Sequence, residues 1–174
     1  MIVSWESEKE LEEFLLNKDS GRLLLEKLWL DTDGSTATDL QISNQVKMPG
    51  YGVADIVMYS EEKDCCIVIE LKNDKLKSDH FAQAARYESF VYSHTNVSVC
   101  FSVVITTSRA NQGDSCFLAN KEDVHWFSVG FDHDGGITLN DESSRRWVVM
   151  GESDSCHHDT FMEAFAESDG EENG

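Results

Sequence analysis

Apolar residues recur along this chain with two periods, and the changes between them mark its elements. Ser7-Glu8-Lys9-Glu10 has the form of a capping box, and Leu11, Phe14 and Leu15 follow at helical spacing, so a helix begins here. A second short helix is predicted over Arg22 to Leu30, with Asp31 to Ser35 a polar loop behind it. Leu40, Ile42 and Val46 then fall on alternate positions, with Gln41, Ser43, Gln45 and Lys47 between them, which predicts a half-buried strand. Pro49-Gly50-Tyr51-Gly52 turns the chain. Val53 to Tyr59 and Cys65 to Leu71 are β-rich and flank the polar stretch Ser60 to Asp64, which reads as a hairpin. Ser78 is placed to cap a helix running to about Tyr92, its buried stripe being Phe81, Ala84, Ala85 and Val91. Val97 to Thr106 is almost continuously apolar, as a central strand covered on both faces would be. His125 to Phe131, Ile137 to Leu139 and Trp147 to Met150 are read as further strands, with Gly135-Gly136 as a hairpin turn. The order predicts one α/β domain over residues 1–150, a mixed β-sheet flanked by helices.

Beyond Gly151 the pattern fades. Residues 151–174 carry 8 acidic side chains and no Lys or Arg, and this composition predicts a disordered acidic tail. The whole chain has a formal net charge of -19, and 25 acids against 14 bases remain in residues 1–150, so the body is acidic too. Proteins that bind nucleic acid usually show a basic footprint. A nucleic-acid reading of this chain therefore needs a local cationic patch or bound metal ions. The 5 cysteines include no CxxC pair, and Cys65 and Cys66 are strand neighbours pointing to opposite faces, so free thiols are expected and not a disulfide framework. With no apolar run of bilayer length and no secretion signal, the expectation is a protein of the cytoplasm with no membrane partner.

The hairpin carries the chemistry. If its turn is centred between Glu62 and Lys63, Asp55 lies directly opposite Glu70, and opposed residues of an antiparallel pair project to one face. Lys72, two residues beyond Glu70, shares that face. Ile56, Ile67, Ile69 and Leu71 supply apolar neighbours. Charges clustered on apolar strands are costly unless something binds them. Two carboxylates and a backbone carbonyl make a hard oxygen site suited to Mg²⁺ or Mn²⁺. A metal held there polarises a phosphoryl oxygen and lowers the pKa of a bound water. Lys72 would orient or deprotonate that water, or stabilise the phosphate transition state.

The run Gly52-Val53-Ala54-Asp55-Ile56, followed after the hairpin by Ile69-Glu70-Leu71-Lys72, resembles the D-x(n)-E-x-K core of the PD-(D/E)XK nucleases, the restriction-endonuclease-like superfamily. Gln83-Ala84-Ala85-Arg86-Tyr87 is similar to the Q-x-x-x-Y signature of its RecB-like branch. Ala54 stands where the family name has proline. The resemblance spans residues 7–107. It implies a restriction-endonuclease-like fold and hydrolysis of DNA phosphodiesters, with Asp55, Glu70 and the Leu71 carbonyl as metal ligands and Lys72 serving the attacking water. Gln83 and Tyr87, which share a helix face with His80, would position the substrate or the lysine. The upstream helix would add a glutamate to the metal: Glu12 is chosen, with Glu8, Glu13 and Glu26 in competition. Many relatives dimerise to cut both strands, so the resemblance leaves both a monomer and a homodimer open. Lys72, Lys75, Lys77 and Arg86, with His80, would form a basic lip for phosphate contacts.

Plainer readings stand beside these. Asp55, Glu70 and Lys72 also fit a surface ion-pair ladder on an edge hairpin. Gln83 and Tyr87 also fit a solvated helix face, and Glu12 an exposed helical carboxylate. Cys156-His157-His158 offers three soft donors without a visible fourth. Two rival functions remain: a non-catalytic nuclease-fold binding module, and an acidic DNA mimic that blocks nucleic-acid proteins.

Overall fold

A computed structural model of the chain describes residues 5–73, 77–107, 123–131, 134 and 136–142. Helix α1 spans Glu8–Asn17 and is capped by Ser7, whose Oγ accepts the Glu10 amide at 3.2 Å. The Glu10 carboxylate accepts from the Glu6 amide, one residue earlier than an ideal capping box would have it. Lys18 is extended (ψ 142°), and helix α2, Asp19–Asp33, starts at once. Gly21 makes this corner possible. A Cβ built there would lie 2.0 Å from the Phe14 carbonyl oxygen, so the two helices meet over a position that has no side chain. α2 is longer than the Arg22–Leu30 that periodicity predicts, because the tight corner starts it early and it stops only at Gly34, left-handed at φ 83°.

The strands among the described residues form one six-stranded mixed sheet in the order β1-β2-β3-β4-β5-β6. β1 (Gln41–Met48), β2 (Gly52–Ser60) and β3 (Cys65–Lys72) run as an antiparallel meander. Helix α3 (Ser78–His94) crosses over to β4 (Val99–Thr106), which pairs parallel to β3, and β5 (His125–Phe131) pairs parallel to β4. β6 (Ile137–Asp141) closes the far edge antiparallel. Ser78, expected as the N-cap of α3, is instead its first residue. Lys77 holds the cap position and donates its N–H to His80 Nδ1 at 3.1 Å. Tyr87 is buried in the α3 stripe, whereas Ala85 is only half-buried.

Each face of the sheet has its own helices. Leu11, Leu15, Leu25, Leu28 and Trp29 of α1 and α2 pack on Ile56, Met58, Ile67, Ile69, Leu71 and Val103. On the other face Tyr87 and Val91 of α3 pack on Met48, Ala54, Cys66 and Val68, and Phe81 and Ala84 on Val104 and Trp126. The expected α/β architecture, a mixed sheet between helical layers, is thus the one observed. β1 and β2 depart from strict alternation. Residues two apart on a strand share a face, yet Ile42 and Val46 pack on opposite clusters, as do Ile56 and Ala54. Both strands therefore rotate between those positions, at Gln45 and Asp55, and Gln45 takes a positive φ of 48°.

Cys65, Cys66 and Cys100 are buried free thiols. Among the described residues no helix is long and apolar enough to cross a membrane. The strand expected over Trp147–Met150, Lys75, Cys116, the Cys156-His157-His158 run and the acidic tail lie outside the described residues.

Candidate active site

The β2–β3 ladder pairs Ile56 with Ile69 and Ser60 with Cys65, so Asp55, one step further, stands across from Glu70. Glu70 faces Tyr87 of α3, while Ile69 and Leu71 are wholly buried on the opposite face. Asp55 Oδ2 accepts the Leu71 N–H at 2.7 Å, which pins the carboxylate to the end of β3. Lys72 Nζ lies 3.1 Å from Glu70 Oε1 and 3.6 Å from Glu8 Oε1. Asp55, Glu70 and Lys72 are therefore brought to one surface and are partly or largely buried there, unlike an exposed charge ladder.

The electrostatics of this surface favour a cation. Burial, reinforced by Asp55, pushes the Glu70 carboxyl up to about 7 against the pull of Lys72 and Tyr87. Burial also raises Asp55, opposed by the Leu71 N–H, Lys72 and Gln45, and Glu12 adds to the rise. For Lys72 burial works against the charged form, but Glu70, Glu8 and Asp55 outweigh it and hold the ammonium above its ordinary value. Lys72 is thus a cation at neutral pH, suited to stabilising negative charge and not to taking a proton. One oxygen of the pair is unsatisfied: Glu70 Oε2 is buried and has no hydrogen-bond partner among the described residues, since the neighbouring Tyr87 hydroxyl gives its proton to the Val53 carbonyl. A buried acceptor in that state costs free energy, and a hard divalent ion beside Asp55 and Glu70 would relieve it. Among the described residues no three Asp, Glu, His or Cys side chains stand close enough to form a complete cage. Asp55 and Glu70 would supply two donors to such an ion, and its other ligands would have to come from backbone, water or a carboxylate that moves in.

α1 holds a third carboxylate close by. Glu12 Oε2 accepts from Gln45 Nε2 at 2.6 Å, and the same nitrogen lies 3.3 Å from Asp55 Oδ1. Glu12, the glutamate chosen from the sequence, stands one amide away from Asp55. Of its competitors, Glu8 faces Lys72, Glu13 pairs with Lys9 at 3.9 Å on the outer face of α1, and Glu26 is exposed on α2.

Gln83 and Tyr87 act on backbone. Gln83 Nε2 donates to the Tyr51 carbonyl at 2.7 Å and Tyr87 Oη to the Val53 carbonyl at 2.7 Å. Gly52 lies between those carbonyls at φ 129°, and a Cβ there would sit 2.6 Å from Gln83 Nε2 and 3.3 Å from Tyr87 Cε1. The pair clamps the start of β2 two residues ahead of Asp55 and, through Tyr87, reaches Glu70. Arg86 donates to Gln83 Oε1. His80 does not strengthen a basic lip: burial and the nearby Lys72 lower its pKa, so it adds no charge at neutral pH. Sequence reasoning did not assign Gln45 or Asn44 to this surface, and it offered Glu8 as a competitor of Glu12, not as the partner of Lys72. Asn44 left one trace, a polar residue where the Leu40–Ile42–Val46 alternation calls for an apolar one.

No family model matches the sequence, and no curated protein does. Several solved structures are similar. An EndoMS complex with double-stranded DNA matches over 66% of this chain and 46% of its own, at 13% identity and a TM-score of 0.41. A repair endonuclease from Pyrococcus abyssi matches over 60% of this chain and 45% of its own, at 15% identity and a TM-score of 0.42. An XisH family protein from Nostoc punctiforme PCC 73102 matches over 66% of this chain and 94% of its own, at 17% identity and a TM-score of 0.36. The chain thus spans less than half the length of the first two.

Proposed function

We propose that this chain is a restriction-endonuclease-like, Mg²⁺- or Mn²⁺-dependent deoxyribonuclease that hydrolyses phosphodiester bonds within DNA. The observation that carries the reading is the buried Glu70 carboxylate, raised to about 7 with one oxygen unsatisfied, beside Asp55 and within 3.1 Å of Lys72. The choice of DNA rests on the resemblance of Asp55…Glu70-Leu71-Lys72 to the nuclease core. Asp55, Glu70 and the Leu71 carbonyl would hold the ion, with Glu12 as the outer ligand. A bound divalent ion supplies Lewis-acid polarisation of the phosphate and a water of lowered pKa.

The chain's own groups do the rest. Lys72 stays protonated, orients the attacking water and donates to the phosphate as its charge builds. Leu71 N–H fixes Asp55, and Gln83 and Tyr87 hold the backbone that presents it. Catalysis of this kind depends on donors held within tenths of an ångström, so the clamp matters although it is set back from the phosphate.

The test incubates the pure protein with circular single-stranded, circular duplex and linear DNA, with and without Mn²⁺. Metal-dependent cutting of a circle that Lys72→Ala abolishes is the expected result. Binding without cleavage would favour a non-catalytic module, and metal-independent capture of a protein partner, indifferent to Glu70→Ala, would favour a DNA mimic.

A further inference from the structure

Gln45 is in the wrong conformation for its residue type. Among the described residues three that are not glycine take a positive φ: Gln45, Asp64 and Asp123. Aspartate tolerates that region through its short polar side chain. Gln45 has no such excuse, and it lies inside β1, between the pairs Asn44↔Ile56 and Val46↔Ala54. The conformation has a visible consequence. It delivers the side-chain amide to the gap between α1 and β2, where Nε2 meets Glu12 Oε2 at 2.6 Å and Asp55 Oδ1 at 3.3 Å. An NH₂ group has two hydrogens, one for each carboxylate. Asn44 Nδ2 holds the other oxygen of Glu12 at 3.0 Å, so the glutamate is fixed in this pose.

We propose that Gln45 is a placeholder for the divalent ion: its amide bridges Glu12 and Asp55 while the site is empty and withdraws when the ion takes the same gap. The inference rests on the metal reading given above and adds a residue to it. Two carboxylates facing one gap repel each other, and a neutral donor between them holds both in place at no cost in net charge. A divalent ion seeks oxygens at 2.0–2.6 Å and meets at this point a nitrogen donor it cannot coordinate through its hydrogens. Gln45 is therefore a positioning residue with a price: it preserves the geometry of Glu12 and competes with the ion for it.

Calorimetric Mn²⁺ titrations of the metal-free protein test this. The variants are Gln45→Gly, which adopts a positive φ freely and keeps the path of β1, and Gln45→Asn, which tolerates the conformation but is too short to bridge. Both should bind Mn²⁺ at least fivefold more tightly than wild type, and the gain should fall below twofold when Glu12→Gln is added. In wild type, the Gln45 side-chain amide resonances should shift on saturation with Mg²⁺. Unchanged or weaker Mn²⁺ affinity in both variants, or amide resonances that ignore Mg²⁺, overturns the placeholder role while leaving the metal site standing. Wild type that binds no Mn²⁺ at millimolar concentration sinks both readings together.

Discussion

Replacing Glu70 with glutamine should stabilise the metal-free protein while destroying its proposed activity. Glu70 is an acid whose folded-state pKa is raised, from 4.5 to about 7. The native state then binds more protons than the unfolded state between those values, so stability falls as pH rises from about 4.5 through 7. Each pH unit of that interval is worth about 1.4 kcal/mol. Relative to a side chain that stays neutral, Glu70 thus costs the fold on the order of 3 kcal/mol at pH 8, and about 1 kcal/mol at pH 5, where the native carboxyl is protonated and only the unfolded one ionises. Glu70→Gln keeps the shape and an acceptor for Lys72 and removes that cost. Urea unfolding in chelator at pH 5, 6, 7 and 8 should therefore show the variant more stable by about 2–3 kcal/mol at pH 8, with the gap shrinking to about 1 kcal/mol or less at pH 5. Adding Mn²⁺ at about a hundredfold over its Kd should return about 2.7 kcal/mol to wild type and nothing to the variant. A variant no more stable than wild type at pH 8, or a gap that does not change with pH, would refute the argument that Glu70 is held charged at a cost to the fold.

Other outcomes follow from the same geometry. Gly21→Ala forces a Cβ to within 2.0 Å of the Phe14 carbonyl and should destabilise the chain by about 2–4 kcal/mol in thermal or urea unfolding, since backbone cannot step aside cheaply. Tyr87→Phe keeps the buried ring but leaves the Val53 carbonyl unpaired, for a loss of about 1–2 kcal/mol and a fall in DNA cleavage at unchanged Mn²⁺ affinity. Ser7→Ala removes the oxygen that accepts the Glu10 amide and should cost about 1 kcal/mol in unfolding while leaving cleavage untouched.

What could be learned from the sequence was whatever local periodicity encodes. The hairpin register came out correctly because the turn is symmetric about Glu62 and Lys63 and the two β-rich runs pair from it without a bulge, which sets Ile56 against Ile69. The strand bearing Glu70 and Lys72, the helix bearing Gln83 and Tyr87, and the mixed α/β order were legible for the same reason: burial on one face repeats at the period of the element. The extent of α2 was not, because Gly21 is there for a contact with another helix and nothing beside it in sequence says so. Gln45 shows the limit most plainly. Alternation makes it an outward polar residue of β1, whereas its conformation and both its partners are set by the rotation of two strands and the approach of α1. Which glutamate of α1 reaches Asp55, and which reaches Lys72, depends on how α1 lies on the sheet, a property of the Leu11, Leu15 and Trp29 packing as a whole. Residue types and spacing determined by themselves which groups could do chemistry. Only the packing of helices on the sheet decided which of them meet, because contacts between distant segments leave no period in the chain.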